Sequence, residues 1–241
     1  MKLVSLSASL LVLALGLSAH AADNTPPEGF AALFNGKDLT GWKGIPLRVN
    51  DKGRASPLSM PQRLSGPKDE LEKAQKLGDE SAREHWKAEN GVLVFDGKGQ
   101  NLCTAKDYGN FELYVDWKIE PKGDSGIYLR GSPQVQIWDP KDEAQTKNGA
   151  DKGSGSLWNN KKNPRFPNVL ADNPIGEWNT FHIKMVGEKV TIHLNGKLVV
   201  DNVTMENLWE PEKPIYAKGP IELQNHGNTL YFKNIYVKEL P

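Results

Sequence analysis

From Trp86 onward, apolar and polar residues alternate in short runs separated by turn signals, the pattern of half-buried strands. The runs are Lys87–Glu89, Val92–Asp96, Asn101–Thr104, Phe111–Ile119, Gly126–Arg130, Gln134–Asp139, Trp178–Val186, Lys189–Leu194, Lys197–Asp201, Ile221–Asn225 and Leu230–Lys238. Asn90-Gly91, Asp96-Gly97, Gly187-Glu188, Asn195-Gly196 and Gly227-Asn228 punctuate them. The stretch VTIHLNGKLVV is the clearest hairpin, two alternating strands around an Asn-Gly turn. About a dozen short strands with no helices between them predict an antiparallel β-sandwich or jelly roll. A parallel sheet would need crossover helices.

Two segments break the alternation. Residues 43–85 read as an insertion near the N-terminus. Pro57, Pro61 and Pro67 interrupt its first half. Its second half, Pro67–His85, has helical composition, with Leu71, Ala74 and Leu77 at helical spacing and Pro67 suited to the first turn. This helix is either a solvated surface element or a lid over a cleft. Residues 141–173 form a long loop, and loops of this length in a compact domain are commonly functional or disordered. Trp158 and Phe166 argue against plain disorder.

Met1–Ala21 reads as a secretory leader: Lys2, the apolar run Leu10–Leu17, and Ala19-His20-Ala21 as a cleavage site. The remainder, 22–241, suits a single domain with one core. The single cysteine, Cys103, excludes an intramolecular disulfide. An exported, disulfide-free chain points to a bacterial periplasm or exterior. Lys+Arg and Asp+Glu are each 30, so loss of Lys2 with the leader leaves the charge near −1. That balance argues against nucleic acid as a partner, and no later apolar run is long enough for a membrane span. Seven Trp beside many Gly and Pro turns suit a carbohydrate-binding β protein.

Side-chain alternation sorts the strand residues by face. Ile127 and Leu129 point inward, Tyr128 and Arg130 outward. Val135 and Ile137 point inward; Gln134, Gln136 and Trp138 outward. Ile221 and Leu223 point inward; Glu222, Gln224 and His226 outward. On Phe111–Ile119, Glu112 and Asp116 share the outward face. Rings, planar amides, a guanidinium and an imidazole are what a sugar needs, because it offers hydroxyls and an apolar C–H face. Lys184, Thr191, Lys197 and Lys238 mark a plainer exterior. The alternative is a self-satisfied polar face covered by the insertion.

Other chemistries find no pattern. Ser154 lacks a nucleophile-elbow context, and Gly153-Ser154-Gly155-Ser156 lacks the lysine of a phosphate loop. No Cys or His spacing suits zinc. Glu112 and Asp116 lie four residues apart, about 13 Å by strand rise, too far for a retaining glycosidase pair.

The stretches GFAALFNGKDLTGWKG, HWKAENGVLVFDGKGQNLCTAKDYGNFELYVDWKI, GDSGIYLRGSPQVQIWD, GEWNTFHIKMVGEKVTIHLNGKLVVDN and GPIELQNHGNTLYFKNIYVKEL together resemble the 3-keto-disaccharide hydrolase domain family, formerly a domain of unknown function. The resemblance implies a concanavalin A-like lectin/glucanase jelly roll. It also implies cleavage of glycosides whose sugar has first been oxidised at C3 by a separate sugar 3-dehydrogenase. Two positions depart from the family's pattern. Gln134 stands where many members carry an acid, and Asn225 where many carry Asp.

A ketone at C3 acidifies the hydrogen at C2. A base removes it, the C1 substituent leaves by β-elimination, and water adds back. This route needs a base, a group for the enolate oxygen and an acid for the leaving group. His226 is the expected base. Arg130 and Gln136 would hold the keto and enolate oxygens. Tyr128 and Trp138 would stack on the sugar, with Gln134, Gln224 and Glu222 binding it. Glu112 and Glu222 are reserve acids. A divalent cation, Ca2+ or Mn2+, near Asp116 or Asp139 is a candidate cofactor. The alternatives are a non-catalytic carbohydrate-binding module of the same shape, which needs no poised base, and a conventional endoglucanase, which the missing carboxylate cluster disfavours.

Overall fold

The computed structural model describes residues 23–241, so the leader Met1–Ala21 lies outside the described residues. In chain order the strands are β1 (Ala31–Ala32), β2 (Trp42–Gly44), β3 (Leu47–Val49), β4 (Ala55–Pro57), β5 (Trp86–Glu89), β6 (Val92–Phe95), β7 (Leu102–Thr104), β8 (Phe111–Ile119), β9 (Asp124–Tyr128), β10 (Gln134–Trp138), β11 (Asn179–Val186), β12 (Lys189–Leu194), β13 (Lys197–Thr204), β14 (Glu222–Leu223) and β15 (Leu230–Glu239). Two helices, α1 (Met60–Ser65) and α2 (Lys68–His85), stand between β4 and β5.

The alternation along β8 is realised residue by residue. Phe111, Leu113, Val115, Trp117 and Ile119 are buried, and the residues between them are partly exposed. β8 sits near the middle of an eight-stranded antiparallel sheet ordered β13-β12-β11-β8-β15-β6-β5, with β1 added along β15. A second sheet has the order β10-β9-β14-β7-β2. Ile127, Leu129, Val135, Ile137 and Leu223 of the second sheet join Leu113, Val115, Phe181 and Ile183 of the first in one core. Burying each such side chain contributes about 1.5–3 kcal/mol. The fold is the expected antiparallel sandwich of the jelly-roll type. Among the described residues no helix is long and apolar enough to cross a membrane.

The insertion differs from its expected form. Its first two residues belong to β2, and β3–β4 form a small hairpin the sequence did not signal. The helix at 68–85 is present, with Asp69 and Glu70 in its first turn and Arg83 and His85 in its last, as the helix dipole favours. It docks through Ala74, Gly78 and Ala82, whereas Leu77 stays 38% exposed. Small residues are needed because the backbones nearly touch: a Cβ on Gly44 would lie 1.8 Å from the Gly78 carbonyl oxygen. Asp79 accepts from the Gly44 N–H at 3.0 Å, and Gln75 donates to the Gly44 carbonyl at 2.8 Å. The helix therefore closes the β2 edge of the second sheet, which would otherwise present unpaired backbone groups.

Residues 141–173 are ordered by the opposite edge. Gln136 N–H donates to Ser156 O, and Gly155 N–H donates to Gln136 O. The loop thus runs back along β10 and raises a wall beside it. The 3-10 turn Glu143–Asn148 and Trp158 form that wall.

Candidate functional site

The outward face of the second sheet carries a hollow of about 390 Å³. β9, β10 and the segment after β14 form its floor, and the loop 141–173 forms one side. Register aligns the floor in rows. Gln134 pairs with Tyr128, which pairs in turn with Glu222. Gln136 pairs with Gly126, and Gln224 N–H donates to the Gly126 carbonyl. Trp138 pairs with Asp124, beside His226. Space is tight at Gly126, where a Cβ would stand 3.1 Å from both the Gln134 amide and Gln224 Oε1 and would displace them by a few tenths of an ångström. A larger hollow near α1 and α2 is lined by Leu47, Leu58, Leu71 and Leu77 and has no comparable convergence of polar groups.

Of the residues expected to meet a sugar, Tyr128, Gln134, Gln136, Trp138, Gln224 and His226 all line the 390 Å³ hollow. Their side chains form a directed chain. Gln134 Nε2 donates to Gln136 Oε1, and Gln136 Nε2 donates to Asp124 Oδ1 at 2.7 Å. Asp124 Oδ2 lies 3.4 Å from His226 Nδ1. Burial raises the Asp124 carboxyl above its ordinary value, opposed by His226 and by the Gln136 hydrogen bond. The carboxylate stands beside Nδ1 rather than Nε2. His226 is half exposed, as a group meeting substrate must be.

Tyr128 accepts from Gln224 Nε2 at 3.4 Å and keeps its own proton to donate. Burial, with Glu222 nearby, holds its hydroxyl well above the usual phenol range, so it stays neutral. Trp138 is buried, with its indole N–H on Gly153 O at 2.9 Å. It supports Trp158 edge-on at 5.3 Å, and Trp158 is the more open ring. Trp158 also lines the hollow, with the Arg165 guanidinium over its ring at 3.6 Å.

Arg130, Glu112, Asp116 and Asp139 do not line this hollow. Arg130 and Gly131 both have positive φ, 56° and 63°, at the centre of the turn joining β9 and β10. Strand alternation ends there, and the guanidinium donates instead to Gly109 O, Tyr216 O and Asn110 Oδ1. Glu112 and Asp116 lie on the outer face of the eight-stranded sheet. Glu112 faces His182 at 3.4 Å, and Asp116 accepts from Thr180 and Asn234. Gln136 lines the hollow, with its amide engaged by Gln134 and Asp124. Asp139 accepts from the backbone N–H groups of Lys122 and Lys141 at 2.9 and 2.8 Å. Asp116 and Asp139 thus lie apart, each already accepting hydrogen bonds from the protein. Among the described residues no three His, Cys, Asp or Glu side chains converge as metal ligands.

Glu222 is buried on the same sheet face but opens onto an adjoining hollow of about 210 Å³, which shares Tyr128 and Gln224 with the first. It pairs with Arg63 of α1 at 2.5 Å.

Sequence reasoning missed Asp124, Arg63, Trp158 and Asn159. Asp124-Ser125-Gly126 reads as turn chemistry, yet Asp124 alternates in phase with Tyr128, which is the signal that could have found it. Arg63 lies in a segment with no periodicity, and its only local signal is the Ser59/Gln62 capping box that starts α1.

Residues 29–238 match the family described as the 3-keto-alpha-glucoside-1,2-lyase-like domain. A 3-keto-disaccharide hydrolase of Bacteroides thetaiotaomicron is 23% identical over 267 residues, covering 88% of this chain and 79% of that protein. Among solved structures, a Parabacteroides distasonis protein classed provisionally as a glycosyl hydrolase superposes with a TM-score of 0.64 at 25% identity, covering 91% of this chain and all of that one. A second from the same organism gives 0.59 at 24% identity, over 89% of this chain and 85% of that one. With the match running through nearly all of the described residues, the chain belongs to the 3-keto-alpha-glucoside-1,2-lyase-like domain family.

Proposed function

We infer that this protein cleaves glycosides whose sugar carries a ketone at C3, by elimination followed by hydration. The observation that carries the reading is the Asp124–His226 pair, 3.4 Å apart, set in a hollow floored by amides and walled by Trp158. His226 Nε2 takes the proton from C2, and Asp124 stabilises the imidazolium that forms. The C2–H electron pair becomes the enolate and then the C1=C2 double bond as the C1–O bond breaks. The departing oxygen takes a proton. Water adds at C1, C2 regains a proton, and the net change is hydrolysis.

Tyr128 is the neutral donor placed to meet the developing oxygen charge, a role suited to a phenol that burial keeps protonated. Gln134 and Gln224 bind hydroxyls, and Trp158 stacks on the ring. The substrate presupposes a separate sugar 3-dehydrogenase that installs the ketone, and the leader read at Met1–Ala21 would place the reaction in the periplasm or outside the cell.

The test is His226→Ala on 3-keto-trehalose, with exchange of the C2 hydrogen for solvent deuterium as a second readout. Turnover and exchange should both fall about 10²–10⁴-fold. A folded variant that keeps wild-type rates overturns the assignment. A wild-type protein that binds these sugars but releases no product is a carbohydrate-binding module instead.

A further inference from the structure

The 210 Å³ hollow is built by the insertion as much as by the sheet. Arg63 reaches it from α1, which is fixed at three points. Ser59 and Gln62 cap the helix reciprocally. Arg63 Nε donates to Leu58 O at 2.9 Å. Met60 packs on Gly131 so closely that a Cβ there would lie 2.4 Å from the Met60 sulfur. Glu222 receives Arg63 Nη1 at 2.5 Å and Asn101 Nδ2 at 3.4 Å. Trp209 lines the same hollow with its indole N–H tied to Gly131 O at 2.8 Å.

Two buried polar atoms among the described residues have no hydrogen-bond partner and belong to side chains lining this hollow: Arg63 Nη2 and Gln224 Oε1. One is a donor only, the other an acceptor only. A hydroxyl can satisfy either one, accepting from the guanidinium or donating to the amide oxygen, and a sugar carries several. A carboxylate or phosphate could meet Arg63 but would be repelled by Glu222 and could give Gln224 nothing. Burying such atoms unpaired costs about 1–3 kcal/mol each, so a ligand that pairs them gains accordingly.

We propose that Arg63, Glu222, Gln224 and Trp209 form a second subsite, for the hydroxyl-bearing sugar on the leaving-group side of the bond being cleaved. This rests on the elimination reading for its placement, since the first hollow then takes the 3-keto ring and the shared Tyr128 and Gln224 stand between the two. Glu222 and His226 line different hollows, the second and the first respectively. The insertion thereby sets specificity. It rewards a sugar leaving group over an alkyl one.

The experiment compares 3-keto-trehalose, which releases glucose, with methyl 3-keto-α-glucoside, which releases methanol. Arg63→Lys keeps the charge opposite Glu222 and removes the second prong of the guanidinium fork. It should lower kcat/KM for 3-keto-trehalose about tenfold or more beyond any fall on the methyl glycoside. Arg63→Met/Glu222→Gln, which leaves no unpaired buried charge, should do the same, with thermal unfolding as the folding check. Calorimetric titration with unoxidised trehalose supplies a readout independent of cleavage: its affinity should weaken in both variants. Equal falls on the two ketones, or unchanged trehalose affinity, overturn the subsite while leaving the reaction intact. A wild type that cleaves neither ketone yet binds trehalose in an Arg63-dependent manner overturns the reaction and retains the subsite.

Discussion

Two carboxylate–imidazole pairs of equal separation stand on opposite sides of the sandwich. Glu112 and His182 are 3.4 Å apart on the outer face of the eight-stranded sheet, and Asp124 and His226 are 3.4 Å apart on the face of the five-stranded one. Their surroundings differ. His182 is stacked flat on Tyr114 at 4.3 Å and lies beside His193 at 5.8 Å, a ladder of rings across neighbouring strands. Asp124 is buried, bonded to Gln136, and its histidine opens onto a hollow. Separation alone does not make a site. What distinguishes the second pair is a concave floor, an amide bonded to the carboxylate, and an imidazole that lines a ligand-sized space.

That contrast can be broken most sharply at the carboxylates. Asp124→Asn should cost about 10²–10⁴-fold in kcat/KM on 3-keto-trehalose, while Glu112→Gln should change it by less than about twofold, as a surface substitution does. Comparable losses at the two positions would mean that the outer face takes part. Next in size is Arg130→Met. It removes the hydrogen bonds from the β9–β10 turn to Gly109 O, Tyr216 O and Asn110 Oδ1 and should lower unfolding stability by about 3 kcal/mol in urea, with turnover per folded molecule unchanged. A turnover defect at full stability would return Arg130 to the site. Gly126→Ala should raise KM about tenfold by pushing Gln134 and Gln224 apart on the cleft floor, with little change in kcat. A KM that stays put would mean that sugar does not lie over Gly126.

The smallest effect is on stability against pH. Burial raises the Asp124 carboxyl, so the folded state holds its proton to higher pH than the unfolded chain does. Stability from this group therefore falls as pH rises from the unfolded value through the folded one. Asp124→Asn lacks that decline and should match or exceed wild type at neutral pH, by no more than about 1 kcal/mol. Denaturant midpoints across pH 3–8 would show the two curves separating on the alkaline side. A variant less stable there would mean that the carboxylate's hydrogen bonds outweigh its burial.

The sequence carried the sheets well because alternation is local. The limits of β8 and β12 follow from period 2 alone, and so does the shared face of Tyr128, Gln134, Gln136, Gln224 and His226. Alternation names a face without saying which sheet owns it, which is why Glu112 and Asp116 seemed to belong with His226. It also lapses wherever φ turns positive. Arg130 continues the pattern in the sequence, but in space it sits in a turn and faces the other way. Trp158 and Arg63 come from segments without a period, and only tertiary packing brings them to the cleft.

The closure of β2 by α2 has a further consequence. With Gly44 bonded to Asp79 and Gln75, and β10 accompanied by residues 155–156, the cleft-bearing sheet offers no open ladder at either border. A neighbouring chain cannot extend it by adding a strand. Helix and loop thus act as bookends, and they leave the broad side of the sheet as the approach for a visitor.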